Sequence, residues 1–248
     1  MDEHKKEMIR TVGLTKKYGQ KTAVDGLDLV VYEGELFSLL GVNGAGKTTT
    51  IRMLSCLSRP TAGEASVCGH NVMEEPAEVK KVIGISTQDT AVAERLTVRE
   101  NLEFMAALHF SDKAAVRERA KEMIKVFRFQ EVENQQARTL SGGWQRKLSI
   151  AMALIGDPKV LFLDEPTLGL DVLARRELWK LIEKLKTHRT IILTTHYMEE
   201  AEALSDRIAI IQGGRLRALG TLSEIEEQAG EKGLENAFVK IAGEEEAL

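Results

Sequence analysis

Residues 36–50, LFSLLGVNGAGKTTT, join an apolar run of strand length to a glycine-rich turn and then to the start of a helical pattern, TTIRMLSCL. Within this stretch Gly41–Thr48 fits G-x-x-x-x-G-K-[ST]. Glycines let successive backbone N–H groups turn toward one point, and the helix N-terminus behind them adds its dipole, so the stretch is built to cradle phosphate. Asn43, Gly44, Ala45 and Gly46 would wrap the phosphates and Lys47 would reach the β- and γ-phosphates of a nucleotide. Thr48, with Thr49 beside it in the cradle, would bring a hydroxyl to Mg²⁺.

Outward from this stretch, further apolar runs read as buried, largely parallel strands: VIGIS at 82–86, VLFLD at 160–164, TIILTT at 190–195 and RIAII at 207–211. Helical periodicity lies between them. Ala174, Leu178, Leu181, Ile182 and Leu185 share one face, as do Val116, Ala120, Met123, Ile124 and Phe127. Strands alternating with helices predict an α/β core.

Two regions break the alternation. Residues 1–34 and 64–70 carry short β-like pieces without helices between them, which predicts a small antiparallel sheet. Residues 90–156 are almost entirely helical in pattern, which predicts an inserted lobe. The expected division is a core from 1–88 and 157–225, a helical subdomain over 89–156, and a C-terminal helix with an acidic tail over 226–248.

Composition narrows the function classes. With 248 residues, 43% of them hydrophobic, the chain can bury a real core. A formal charge of -4 and a pI near 5.9 give no overall pull toward nucleic acid, which is not expected as a partner. Cys56 and Cys68 have neither metal-ligand spacing nor disulfide density, which suits a reducing compartment. The start, MDEHKKEMIR, has no apolar targeting core, and no window is long enough for a bilayer span. A membrane would be reached through a partner.

Downstream, Asp164 at the end of VLFLD can hold Mg²⁺, and Glu165 beside it can orient or deprotonate an attacking water. Ser141, Gly142 and Gly143, in LSGGWQRK at 140–147, form a second glycine-rich helix start. One chain has no use for two γ-phosphate cradles on separate lobes. Two copies arranged head to tail do, since each cradle then faces the other copy's Ser-Gly-Gly.

The order of cradle, Gln88 after VIGIS, LSGG, VLFLDEPT, Asp171 and TTH ending in His196 resembles the ATP-binding subunit of ABC transporters over nearly the whole chain. The resemblance implies a P-loop core with an antiparallel β subdomain and an inserted α-helical subdomain, and it implies ATP and Mg²⁺ as ligands. It implies that Tyr18 stacks on adenine, that Gln88 touches Mg²⁺ and the water and senses a membrane partner, and that Glu165 is the general base. His196 would bridge the γ-phosphate and the base, and Asp171 would lie where the dimer is crossed. Trp144 and Leu168 depart from the commonest pattern, which puts sugar contacts and cross-dimer coupling in doubt.

THYMEEAEALSDRIAII and LENAFVKIAG are similar to the type-2 exporter branch, which implies multi-span membrane permease subunits, a second ATP-binding subunit (a homodimer or a close paralogue), and a place on the cytoplasmic face of the plasma membrane. The rival is a soluble ATPase of an assembly machine, such as iron–sulfur cluster assembly. The coupling surface is expected around Gln88 and residues 98–109, with Val98, Leu102, Met105 and Leu108 facing the lobe core and Arg99, Glu100 and Glu103 exposed.

Overall fold

The computed structural model describes residues 6–243. Strands β1 (Glu7–Tyr18), β2 (Lys21–Tyr32) and β3 (Leu36–Leu40) lead into helix α1 (Lys47–Leu54), followed by β4 (Ala62–Val67), β5 (His70–Asn71), α2 (Pro76–Val82) and β6 (Ile83–Ser86). A helical excursion comprises α3 (Val98–Ala106), α4 (Lys113–Phe127) and α5 (Gly142–Ala153). The chain returns through β7 (Val160–Asp164), α6 (Val172–Lys186), β8 (Thr190–Thr195), α7 (Met198–Leu204), β9 (Arg207–Gln212) and β10 (Arg215–Gly220). It then enters α8 (Leu222–Ala229) and α9 (Leu234–Gly243).

The larger sheet has the order β10-β9-β3-β8-β7-β6. Every pairing from β9 to β6 is parallel, and only the β9–β10 hairpin is antiparallel. Its central strands β3, β7 and β8 are buried along their whole length and largely apolar, because both faces are covered. Leu36, Leu161, Leu163, Ile191 and Leu193 point into a cluster shared with α3 to α6. Phe37, Leu39, Val160, Phe162 and Ile192 point the other way, against α1 and the smaller sheet. Residues of opposite faces alternate along each strand, as the pleat requires.

The smaller sheet, β2-β1-β4-β5, is antiparallel as expected, and β4 and β5 are short, but β1 and β2 run 12 residues each. Register shifts along the β1–β2 ladder mark bulges that bend the pair over the core. LENAFVKIAG forms α9, whose Leu234, Ala237 and Phe238 pack with Leu40, Ile208 and Ile210. The last acidic residues of the expected tail, 244–248, lie outside the described residues.

The reading of residues 98–109 needs correction. Val98 and Leu102 are fully buried and Met105 packs against the lobe core, but Leu108 is 67% exposed. Helix α3 ends at Ala106, so its periodicity no longer governs Leu108. Arg99 is half-buried and paired with Glu133 at 2.7 Å. Glu100 completes a capping box with Thr97, its Oε2 accepting from the Thr97 backbone N–H at 2.7 Å. Glu103 is half-buried. Glu100 is exposed as expected, and the apolar Phe104, at 58%, and Leu108 stand outward beside it.

Candidate nucleotide site

Strand β3 delivers the chain to the cradle, and two remote segments hold it there. Gly46 sits at φ 107°, and a Cβ on it would stand 2.5 Å from the Ala23 carbonyl oxygen. Only glycine satisfies both conditions. The Gly214 N–H donates to the Ala45 carbonyl at 3.1 Å, and the Gly214 carbonyl accepts from the Asp25 N–H at 2.9 Å. The loop is thus braced by the smaller sheet and by the β9–β10 turn. The first turn of α1 carries no acidic residue, so nothing on the helix competes for its free N–H groups.

Lys47 is only 5% exposed, and its ammonium donates to the carbonyls of Gly41 at 2.7 Å and Val42 at 3.2 Å. It also lies 3.2 Å from Glu165 Oε1. The other carboxylate oxygen, Glu165 Oε2, is 2.5 Å from His196 Nδ1. Since an ionised carboxylate only accepts, the contact assigns the proton to Nδ1 of the imidazole. Glu165 holds a left-handed backbone, φ 51°, with its N–H bonded to the Thr194 carbonyl and hydroxyl. A glutamate in that region is strained, and the strand end on each side fixes it.

Thr48 Oγ1 donates to Asp164 Oδ1 at 3.0 Å, and Thr194 Oγ1 donates to the same oxygen at 2.5 Å. Asp164 is 3% exposed. This is a hard-oxygen donor set with a single carboxylate, and no group of three or more His, Cys, Asp or Glu that could hold a metal occurs among the described residues. Such a set suits Mg²⁺, which takes few protein ligands and completes its shell with phosphate oxygens and water, and it does not suit zinc.

A cleft of about 460 Å³ is lined by Tyr18, Asn43 to Thr49, Gln88, Glu165, Leu168 and His196, together with Lys21 and Ala23. Tyr18 is half exposed, with the Lys16 ammonium 5.0 Å from its ring centroid. The structure therefore brings the expected residues of the first cradle together. It keeps Ser141, Gly142 and Gly143 apart from them: they begin α5, outside this cleft, and the Ser141 side chain makes no capping bond. Asp171 caps α6 by accepting from Leu173 N–H and Ala174 N–H. Of the two departures, Trp144 turns into the helical lobe against Phe129 and Lys147, while Leu168 lines the cleft.

Several contributors were not foreseen. Thr194 orders both Asp164 and the Glu165 backbone, and its signal, a threonine two residues before the histidine, was visible in TTH. Gly214 was signalled by the Gly213-Gly214 pair. Arg146 is buried, and its guanidinium donates to the Thr87 and Gln88 carbonyls at 2.7 Å each. Burial pulls its pKa below the usual arginine value, while the charges of Asp164 and Asp89 oppose that shift.

The family model described as "ABC transporter" matches residues 24–168. The chain is 45% identical over 223 residues to the daunorubicin/doxorubicin resistance ATP-binding protein DrrA of Streptomyces peucetius, covering 90% of this chain and 68% of that protein. A solved ATP-binding subunit of an ABC transporter superposes with a TM-score of 0.84 at 29% identity, over 94% of this chain and 99% of that one. The ATP-binding cassette MJ0796, solved as a dimer in a post-hydrolysis state with ADP and Pi, gives 0.79 at 27% identity, over 87% and 99%. The chain belongs to the ABC transporter family and is an ATP-binding, ATP-hydrolysing member of it.

Proposed function

We propose that this chain powers an exporter: it binds Mg·ATP in the cleft, closes head to tail on a second ATP-binding subunit, and passes that motion to membrane-spanning permease subunits. The observation that carries this reading is the convergence of the cradle, Gln88, Glu165 and His196 on one cleft, with Asp164 bonded to Thr48 behind it. The division into a core (1–88, 157–225), a helical subdomain (89–156) and a C-terminal segment belongs to the same reading, supported by the helices α3 to α5 clustered between β6 and β7.

In this reading Lys47 exchanges its bond to Glu165 for the β- and γ-phosphates. Glu165 takes a proton from the water as its oxygen attacks the γ-phosphorus, and the bond from that phosphorus to the bridging oxygen breaks, leaving ADP and phosphate. His196 holds Glu165 Oε2 through Nδ1. Tyr18 supports the adenine. Thr48, Asp164 and Gln88 would hold Mg²⁺, which when bound supplies positive charge against the phosphate oxygens.

The exposed position of Ser141 and Gly142, outside the chain's own cleft, supports their serving the other copy's nucleotide, and the dimer solved for MJ0796 supports the same arrangement. The drug-resistance relative favours export over a soluble assembly role. No helix among the described residues is long and apolar enough to cross a membrane, so a route across it would belong to partner subunits, with this chain at their cytoplasmic face. Phe104 and Leu108 offer the apolar contact.

The test is to tag the chain in its native cell, solubilise membranes in mild detergent and identify what co-purifies by mass spectrometry. A stoichiometric partner with several apolar spans, lost on Phe104→Asp with Leu108→Asp, is expected. A soluble scaffold partner, with the chain absent from membranes, would move the output to assembly.

A further inference from the structure

Helix α5 carries a cation where a helix of this kind has no obvious need of one. Arg146 is 5% exposed, among Leu148, Ser149 and Ile150 on the buried side of α5. A buried guanidinium must be paired or well hydrogen-bonded, since a buried charge without partners is strongly destabilising. Its contacts run instead to consecutive carbonyls of the loop after β6: Nη1 donates to Thr87 O and Nη2 to Gln88 O, 2.7 Å each. The planar fork of an arginine is suited to gripping two carbonyls at once, and a lysine ammonium is not.

The grip is on the backbone, which leaves the Gln88 side chain free. That side chain is exposed and lines the cleft with Lys47, Thr48, Glu165 and His196. Arg146 itself does not line the cleft. A second tie, between the buried hydroxyls of Ser86 and Ser149 at 2.8 Å, pins the end of β6 to α5 but does not reach the loop. The loop's own contact, Thr87 Oγ1 to Asp89 O at 2.7 Å, is local and does not fix it to any other element.

We propose that Arg146 is a positioning residue that holds Gln88 at the nucleotide and makes the Gln88 loop move as one body with α5. The proposal rests on the functional reading above, because Gln88 acts there on Mg²⁺ and the water. It goes further in joining two sites. Ser141–Gly143 begin α5, and Arg146 lies five residues after Ser141, about 8 Å along the axis at 1.5 Å per residue. A helix this short transmits displacement as a rod. In a head-to-tail dimer, the helix that meets one nucleotide through Ser141–Gly143 would therefore hold Gln88 at the other.

The test uses the full chain and a double-mutant cycle between Arg146→Ala and Gln88→Ala, with Arg146→Lys and Ser149→Ala alongside. Arg146→Ala is expected to lower kcat by roughly tenfold to a hundredfold, the worth of charge-assisted hydrogen bonds at a positioned group, with KM for ATP within about twofold. Adding it to Gln88→Ala should lower kcat no further, because both remove the same contribution. Arg146→Lys, which keeps the charge and part of the bonding, should recover part of the loss. Ser149→Ala should lower Tm without lowering kcat. Fully additive losses, or a Ser149→Ala kcat as low as that of Arg146→Ala, would overturn the proposal in favour of general loosening of α5. Turnover that survives Glu165→Gln would fail the functional reading first and take this inference with it.

Discussion

Glu165 and His196 stand on neighbouring parallel strand ends, with Oε2 and Nδ1 2.5 Å apart. The register brings them close: Asp164 of β7 faces Thr194 of β8, so Glu165, one residue on, and His196, two residues on, each leave the end of their strand at the cleft. Lys47 holds the other oxygen of the same carboxylate, and the pair is 5% and 6% exposed. The Glu165 carboxylate is thus clasped on both oxygens by side chains that line the cleft.

Glu165→Gln should lower turnover by at least roughly a hundredfold, the range expected when a general base is removed. It should also bind ATP slightly more tightly than the unaltered chain, because Lys47 no longer has a carboxylate partner to leave and the triphosphate no longer faces that charge. Steady-state ATPase and equilibrium nucleotide binding would read the two effects separately. Weakened binding would contradict the competition for Lys47.

Ser141→Ala separates capping from catalysis. A serine cap that bonds its helix is worth about 1 kcal/mol on replacement by alanine. Ser141 makes no such bond, so the change should shift stability by less than about 0.5 kcal/mol while lowering hydrolysis. Denaturant titration beside an ATPase assay checks both. A full capping loss would show that the hydroxyl serves its own helix.

Gly44→Ala and Gly46→Ala offer a matched pair. Both residues have positive φ, 84° and 107°, but a Cβ on Gly44 meets nothing within 4 Å, whereas one on Gly46 strikes the Ala23 carbonyl at 2.5 Å. The first should cost backbone strain of about 1–2 kcal/mol. The second should cost more and should abolish nucleotide binding, since the loop must leave its brace. Equal Tm losses would count against the brace.

Glu200 gives the fold a pH dependence of its own. It is fully buried on α7, its Oε1 accepts from Trp179 Nε1–H at 3.0 Å, and burial pushes its pKa up, with Glu165 adding to the rise and the Thr195, Thr167 and Trp179 side chains opposing it. The native state then binds more protons than the unfolded chain, so stability falls as pH rises from the ordinary value of 4.5 toward the raised native one. Glu200→Gln, which keeps the acceptor for Trp179, should flatten this part of the Tm–pH curve and gain on the unaltered chain as pH increases. Glu200→Ala should lose about 1–3 kcal/mol through the unpaired indole. A constant Tm difference between Glu200→Gln and the parent from acid to neutral pH would rule out the shift.

What the sequence disclosed depended on whether the cause was local. TIILTT and LFSLL coincide with β8 and β3 because each is a continuous apolar run stopped by polar or glycine residues. The cradle was legible from its glycines. Strand β10 was not, since RLRALG alternates weakly and its ladder with β9 carries a register shift between Leu216 and Ala218. The ion pair of Arg99 with Glu133 depends on a residue from beyond α4, which periodicity cannot foresee. The capping box at Thr97 and Glu100 was written in TVRE and shows why Glu100 is not a free charge. Arg146 was invisible as a positioning group because its partners are backbone carbonyls, which every residue has.

Strand β3 is made early, yet both of its neighbours, β8 and β9, come from residues 190–212, and the brace on Ala45 comes from Gly214. During synthesis the cradle therefore leaves the ribosome with its glycines and lysine in order but with no sheet to seat them. Such non-local pairing is slow to form and leaves apolar edges waiting. The nascent chain becomes competent for ATP only after Gly214 has emerged, so nucleotide can stabilise the finished subunit and cannot guide its first half into place.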